Sequence, residues 1–103
     1  MHASAREEAA PISEHLLQCI WYDQIFPDAL STDEGLPIKV LSPGWWNHQE
    51  GPDFKGAQIQ FGDNLRTGDV EIHLEHCGWQ AHGHHLDARY DDVLLHVVLE
   101  QRP

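Results

Sequence analysis

Apolar residues near the start of the chain recur every three to four positions, which predicts one amphipathic helix. Ser13 can cap its first turn, and Pro27 would end it. Residues 1–12 lack such a pattern, so we expect a flexible leader there and a single domain over residues 13–103. The predicted apolar face of the helix consists of Leu16, Leu17, Ile20, Trp21 and Ile25.

Four later segments show the alternating or continuous apolar character of β-strands. They are 36–41 (LPIKVL), 57–61 (AQIQF), 69–75 (DVEIHLE) and 93–99 (VLLHVVL). The last segment is apolar almost throughout, which indicates a strand buried on both faces. A short helix from about His84 to Tyr90 is expected before it. The resulting order, α-β-β-β-α-β, predicts an α/β domain.

The chain is strongly acidic, with 17 Asp and Glu against 6 Lys and Arg and a formal net charge of −11. Nucleic-acid affinity comes mainly from basic side chains that neutralise phosphates. The composition therefore argues against a stand-alone nucleic-acid-binding protein. A metal ion, a partner chain or a further domain would have to supply the positive charge.

The number of cysteines and the hydropathy of the chain indicate the cellular compartment of the protein. Cys19 and Cys77 form no CxxC pair and no disulfide framework, which fits a reducing environment. No apolar stretch approaches the roughly 20 residues that span a bilayer. The N-terminus lacks the basic start and apolar run of a signal peptide. We therefore expect a cytoplasmic protein that does not contact a membrane.

The clearest candidate chemistry lies on the polar face of segment 69–75, which carries three acids and one histidine. Glu71 and His73 are separated by about 6.6 Å along a strand, so their side chains can converge on one small site. Like charges in a row need compensation, which water, a basic partner or a cation would supply. The alternative is a solvated outer face, which accounts for Asp69 and Glu75.

Asp53 is the natural companion of this pair because it follows Pro52 in a turn of fixed backbone geometry. Carboxylates such as Asp53 and Glu71 can bind Mg²⁺ or Mn²⁺, and a nearby base or metal can activate water for hydrolysis. The simpler interpretation of Asp53 is a turn-forming residue. The simpler interpretation of Glu14 is an acid that the helix dipole favours in the first turn.

Histidine is abundant, with nine in the chain and seven of them between His48 and His96. His82 and His84 lie close enough in sequence to bind a transition metal such as Zn²⁺, although no standard zinc spacing is present. A polar surface loop is the alternative, and it is favoured for His85. His96 lies in the most apolar segment, where it is either a core residue or a hydrogen-bond partner of a metal ligand.

Several motifs together resemble an uncharacterised bacterial family, domain of unknown function 2851. They are WWNHQEGPDF at 45–54, GDVEIH at 68–73, Trp79 with HGH at 82–84, Asp87, Tyr90 and LLHVV at 94–98. The resemblance covers roughly residues 14–99. Members of that family are much longer, which implies that this chain is a fragment or a shortened relative carrying the N-terminal portion. The family name supplies no function.

The order of elements also resembles the PD-(D/E)XK nuclease core, which implies a restriction-endonuclease-like mixed sheet flanked by helices. Pro52-Asp53 matches the PD position, Glu71 the acidic position and His73 the lysine position, while Glu14 matches a helix acid of some members. The resemblance implies that the two acids bind Mg²⁺ and that the third residue helps to activate water. Histidine in place of lysine departs from the pattern, and indicates a Mn²⁺-preferring enzyme, an inactive relative or a different fold.

Three functional hypotheses follow. The first is a divergent metal-dependent phosphodiesterase, with Asp53 and Glu71 holding the ion and His73 activating water or serving as a third ligand. His82 or His84 would complete the shell or meet the substrate. The second is a non-nuclease metal protein with a cupin-like site, which uses His73, His82 and His84 with Glu71. It would bind a transition metal such as Zn²⁺ through nitrogen and would not need Asp53. The third is a non-catalytic interaction module. Carboxylates of Asp53 and Glu71 within about 5 Å of each other would favour the first hypothesis.

Overall fold

The computed structural model describes residues 2–7, 13–26, 29–74 and 87–101 of the chain. No helix in this part of the chain is long and apolar enough to cross a membrane. In chain order its elements are β1 (His2–Glu7), α1 (Glu14–Asp23), β2 (Ile38–Ser42), β3 (Trp45–Trp46), β4 (Phe54–Phe61), β5 (Asn64–His73), a 3-10 helix (Ala88–Tyr90) and β6 (Val93–Gln101).

Helix α1 confirms the predicted amphipathic helix. Ser13 caps its N-terminus, where the side-chain hydroxyl accepts a hydrogen bond from the N–H of Leu16 at 3.0 Å. Gln24 closes its C-terminus in the left-handed conformation with φ 55°. Leu17 and Trp21 are fully buried, whereas Leu16 is half exposed. The helix therefore packs through a narrower apolar stripe than the sequence predicts.

The strands form one mixed sheet in the order β1-β6-β5-β4-β2, with the short strand β3 paired to β4. Strand β4 runs antiparallel to both β2 and β5. Strand β6 runs parallel to both β5 and β1. Strands β2, β4, β5 and β6 confirm the four predicted strands, and the turn at Gly62-Asp63 joins β4 and β5 as a hairpin.

Two parts of the predicted outline are corrected. Residues 2–7 are predicted to belong to a flexible leader, yet they form β1, because main-chain pairing to the edge of β6 does not require an apolar pattern. Of the predicted second helix, Ala88–Tyr90 form a 3-10 helix, and residues 84–86 lie outside the described residues. Within the described residues one α-helix accompanies the sheet, so the domain is mostly sheet.

The apolar core lies between α1 and one face of the sheet. Trp21 of the helix packs against Phe54 of β4 with ring centroids 6.5 Å apart. Burial of such large apolar side chains is the main stabilising contribution to a domain of this size. The other large buried apolar side chains are Leu17, Ile59, Phe61, Val70, Ile72, Leu95, Val97 and Val98.

The opposite face of β5 is also buried, which corrects the solvated-face interpretation of Asp69. Asp69, Glu71 and His73 are all at most 6% exposed. Glu75, which the same interpretation covered, lies outside the described residues. Buried polar groups need hydrogen-bond partners, and each of these side chains has one. Those partners define the candidate site and its surroundings.

Candidate carboxylate–histidine site

Asp53 is presented by a turn that Asn47 organises. The side-chain amide of Asn47 donates to the carbonyl of Pro52 at 2.9 Å and to that of Glu50 at 3.2 Å. Its side-chain oxygen accepts from the N–H of Gln49 at 3.1 Å, and its own N–H donates to the carbonyl of Asp53 at 2.8 Å. These bonds fix the backbone immediately before β4, so the Asp53 carboxylate emerges from a rigid position.

The Asp53 side chain does more than form this turn, since it bonds to two other elements. One carboxylate oxygen, Oδ2, accepts from the N–H of Ile72 on β5 at 2.8 Å. The other, Oδ1, accepts from the side-chain amide of Gln18 on α1 at 3.1 Å. Asp53 also shares a hydrogen bond with the carboxyl group of Glu71. A turn-forming role alone therefore does not account for Asp53.

Glu71 is 3% exposed and its carboxyl group lies against that of Asp53. Burial raises the pKa of Glu71 to about 10, and the hydrogen bond and the charge of Asp53 act in the same direction. The N–H groups of Ile72 and Asp53 oppose this rise. At neutral pH the pair of carboxyl groups thus retains a proton, which the hydrogen bond between Glu71 and Asp53 shares.

His73 and His96 form a buried pair across the parallel strands β5 and β6. Nδ1 of His73 lies 2.6 Å from Nε2 of His96, and the two rings are close to perpendicular. One nitrogen of this bond donates and the other accepts, so the tautomers of the two rings depend on each other. The two interpretations of His96 both apply, because it is a buried histidine and also the partner of a candidate ligand.

A cavity of about 210 Å³ joins these groups into one site. Of the residues that the sequence predicts for a site, it brings together Glu14, Asp53, Glu71 and His73, while His96 contacts His73 from β6. The predicted supporting residues His82 and His84 lie outside the described residues. The remaining residues that line the cavity are Gln18, Gly51 and Tyr90.

Gln18 and Tyr90 are the side chains of the cavity that were not predicted to belong to a site. Gln18 lies one helical turn after Glu14, and this i, i+4 spacing is a signal that could have identified it. Tyr90 donates a hydrogen bond from its hydroxyl to the carbonyl of Gly51 at 3.1 Å. Burial, with added effects of Glu71 and Asp53, raises the pKa of Tyr90 to about 12, so its hydroxyl remains a donor.

Arg89 ties the 3-10 helix to the turn that carries Asp53. Its guanidinium forms ion pairs with Glu50 of that turn and with Asp87, which caps the 3-10 helix. Both acids raise the pKa of Arg89, which remains a cation. Together with the bond from Tyr90 to Gly51, these contacts hold the two segments that border the cavity.

The donor set of the cavity suits a hard cation. Among the described residues, no group of three or more His, Cys, Asp or Glu side chains is arranged to hold a metal ion. The predicted set of Asp53, Glu71 and His73 is therefore not a ready three-ligand group. The carboxyl pair by itself matches Mg²⁺, which often takes only one or two protein carboxylates and keeps several waters.

The fold and the site define a mostly-sheet domain with a carboxylate–histidine cavity at the junction of α1, β4 and β5. The chain belongs to the DUF2851 family of proteins of unknown function, whose family model matches residues 14–102. This match confirms the resemblance to this family that the sequence motifs indicate. No curated protein and no solved structure matches the chain.

Proposed function

We propose that this chain is a divergent metal-dependent phosphodiesterase of the nuclease-like type, in which Asp53 and Glu71 hold a divalent cation. The observation that carries the proposal is the contact between these two carboxyl groups inside the cavity. Two buried carboxyl groups repel each other unless a proton or a cation lies between them. A divalent ion would replace the proton that the carboxyl pair holds in the metal-free chain.

The cavity residues can be given roles that suit phosphodiester hydrolysis. A bound Mg²⁺ or Mn²⁺ would supply Lewis-acid stabilisation of the negatively charged phosphate. His73, held through Nδ1 by His96, would accept a proton from the attacking water. Gln18 and Tyr90 are hydrogen-bond donors that line the same cavity and would orient the substrate.

The arrangement of strands adds support. Asp53 precedes β4 and the pair Glu71 and His73 lies on β5, and these are the second and third strands of the antiparallel series β2-β4-β5. Helix α1 comes before this series, and β6 follows it parallel to β5. This layout resembles the PD-(D/E)XK core in order and in the positions of the acids. His73 in place of lysine remains the departure from the PD-(D/E)XK pattern.

The acidic charge restricts the choice of substrate. With 6 Lys and Arg against 17 Asp and Glu, the chain has little capacity to neutralise a long nucleic-acid backbone. DNA or RNA remains a candidate substrate, but its binding would require a cation to neutralise part of the phosphate charge. The cupin-like alternative uses His73 without Asp53, so the contact between Asp53 and Glu71 favours the phosphodiesterase.

Calorimetric titration with Mg²⁺, Mn²⁺ and Zn²⁺ tests the proposal. The variants are Asp53→Asn and Glu71→Gln, which keep side-chain shape, and Asp63→Asn is a matched acid-to-amide control in an exposed turn. We expect Mg²⁺ or Mn²⁺ binding in the wild type and the control, and loss of binding in both site variants. Binding would then be followed by cleavage assays on labelled DNA and RNA.

Other outcomes separate the alternatives. Zn²⁺ binding that is indifferent to Asp53→Asn would overturn the proposal in favour of a histidine-centred metal site. Absence of binding by any of the three ions would overturn both metal hypotheses and leave the interaction module.

A further inference from the structure

The pairing of β4 with β5 contains one extra residue on β4. Ala57 pairs with Gly68, whereas Phe54 pairs with Val70, so three steps along β4 correspond to two steps along β5. The irregularity is a β-bulge at Lys55-Gly56. Bulges insert an unpaired residue and change which side chains lie opposite each other beyond that point.

This bulge decides which residue faces Glu71. Continuing the pairing of Phe54 with Val70 by one residue places Asp53 opposite Glu71. Without the extra residue, the pairing of Ala57 with Gly68 would continue to place Phe54 opposite Glu71. Residues that lie opposite each other in an antiparallel pair share a face of the sheet. The bulge therefore places a carboxyl group rather than a phenyl ring against Glu71.

Asp69 supports the bulge from outside the site. Its Oδ1 accepts a hydrogen bond from the N–H of Gly56 at 3.2 Å, and the residue is 6% exposed. Gly56 has φ 72°, a conformation that glycine adopts readily and other residues do not. Asp69 is itself held by its N–H, which donates to the carbonyl of Asp92 at 2.9 Å. It lines a separate cavity of about 520 Å³.

We infer that Asp69 is a positioning residue, which holds the β4 bulge through Gly56 and thereby sets Asp53 against Glu71. The inference concerns the carboxyl pair on which the proposed function rests. Its test needs neither metal binding nor cleavage. Asp69 acts through the main chain of Gly56.

Amide hydrogen exchange, followed by NMR and compared with global stability in urea, tests this inference. The reporters are the amide of Gly56, which bonds to Asp69, and the amide of Ile72, which bonds to Oδ2 of Asp53. In Asp69→Val we expect both amides to lose about tenfold in protection beyond the global change. Asp69→Asn keeps an oxygen acceptor and should retain protection at both amides.

Gly56→Ala is a second, milder variant for the case that Asp69→Val does not fold. The added Cβ meets open space, so the strain comes from φ alone, and we expect a smaller loss of protection at Ile72. Unchanged protection at Ile72, with loss confined to residue 56, would overturn the inference in either variant. Metal binding is scored separately, so a chain that binds no metal would refute the proposed function and leave this inference standing.

Discussion

The two faces of strand β5 are both buried, but they are stabilised in different ways. On one face Val70 and Ile72 lie in the apolar core, where removal from water is favourable for each side chain independently. On the other face Asp69, Glu71 and His73 are buried because each has a specific hydrogen-bond partner. The first face tolerates any residue of similar shape, whereas the second requires particular atoms at particular positions.

This difference leads us to expect a function on the polar face and a purely stabilising role for the apolar face. Buried polar groups lose the hydration that water would give them, and their hydrogen bonds recover only part of it. An apolar face would hold this strand in the sheet at lower cost. The polar face of β5 is thus where we expect a function, and substitutions on the two faces should behave differently.

Among single substitutions, the largest expected effect on stability comes from the apolar face. Ile72→Ala removes a fully buried side chain and leaves a cavity in the core, so we expect it to lower the free energy of unfolding by about 2–5 kcal/mol. Urea denaturation followed by tryptophan fluorescence measures the change. Leu65→Ala on the same strand is the matched control, because Leu65 is 59% exposed and its truncation should change stability by less than about 0.5 kcal/mol. Equal effects of the two substitutions would refute the assignment of the core face.

The polar face should make stability depend on pH. The pKa of Glu71 rises from 4.5 to about 10 on folding, so the folded chain keeps a proton that the unfolded chain releases. The retained proton stabilises the folded state, and this stabilisation is fully present below pH 4.5 and is lost as pH rises toward 10. Over this range the free energy of unfolding should fall by up to about 1.4 kcal/mol per pH unit.

Urea denaturation of the metal-free protein at several values of pH measures this slope. Glu71→Gln keeps the shape of the side chain and cannot ionise, so its stability should fall less steeply with pH. Parallel profiles for wild type and Glu71→Gln would show that the carboxyl group is ionised in the folded chain. Added Mg²⁺ should reduce the slope of the wild type alone, since a bound cation stabilises the ionised pair.

The same contrast explains how much the sequence could predict. The helix and four strands follow from local apolar patterns, and the acids at 53 and 71 follow from motif positions. The buried pairing of His73 with His96, the strand at residues 2–7 and the bulge at Gly56 depend on contacts between distant parts of the chain. Glycine within a strand pattern is a signal of a bulge, but it does not reveal which residues the bulge brings together.

The smallest expected effect comes from the histidine pair. His96→Leu removes the hydrogen-bond partner of Nδ1 of His73 and leaves that nitrogen buried, which destabilises the fold by about 1–2 kcal/mol after the apolar gain of leucine is included. His96→Gln retains a polar group near His73 and should recover part of the loss. Imidazole ¹⁵N chemical shifts of His73 supply the readout that stability alone does not. A single tautomer in the wild type should give way to a mixture in His96→Leu, because the bond from His96 then no longer selects the protonated nitrogen. If the chemical shifts of His73 are the same in both proteins, its tautomer is set by another contact. The contribution of His96 would then be packing alone, like that of Val70 and Ile72.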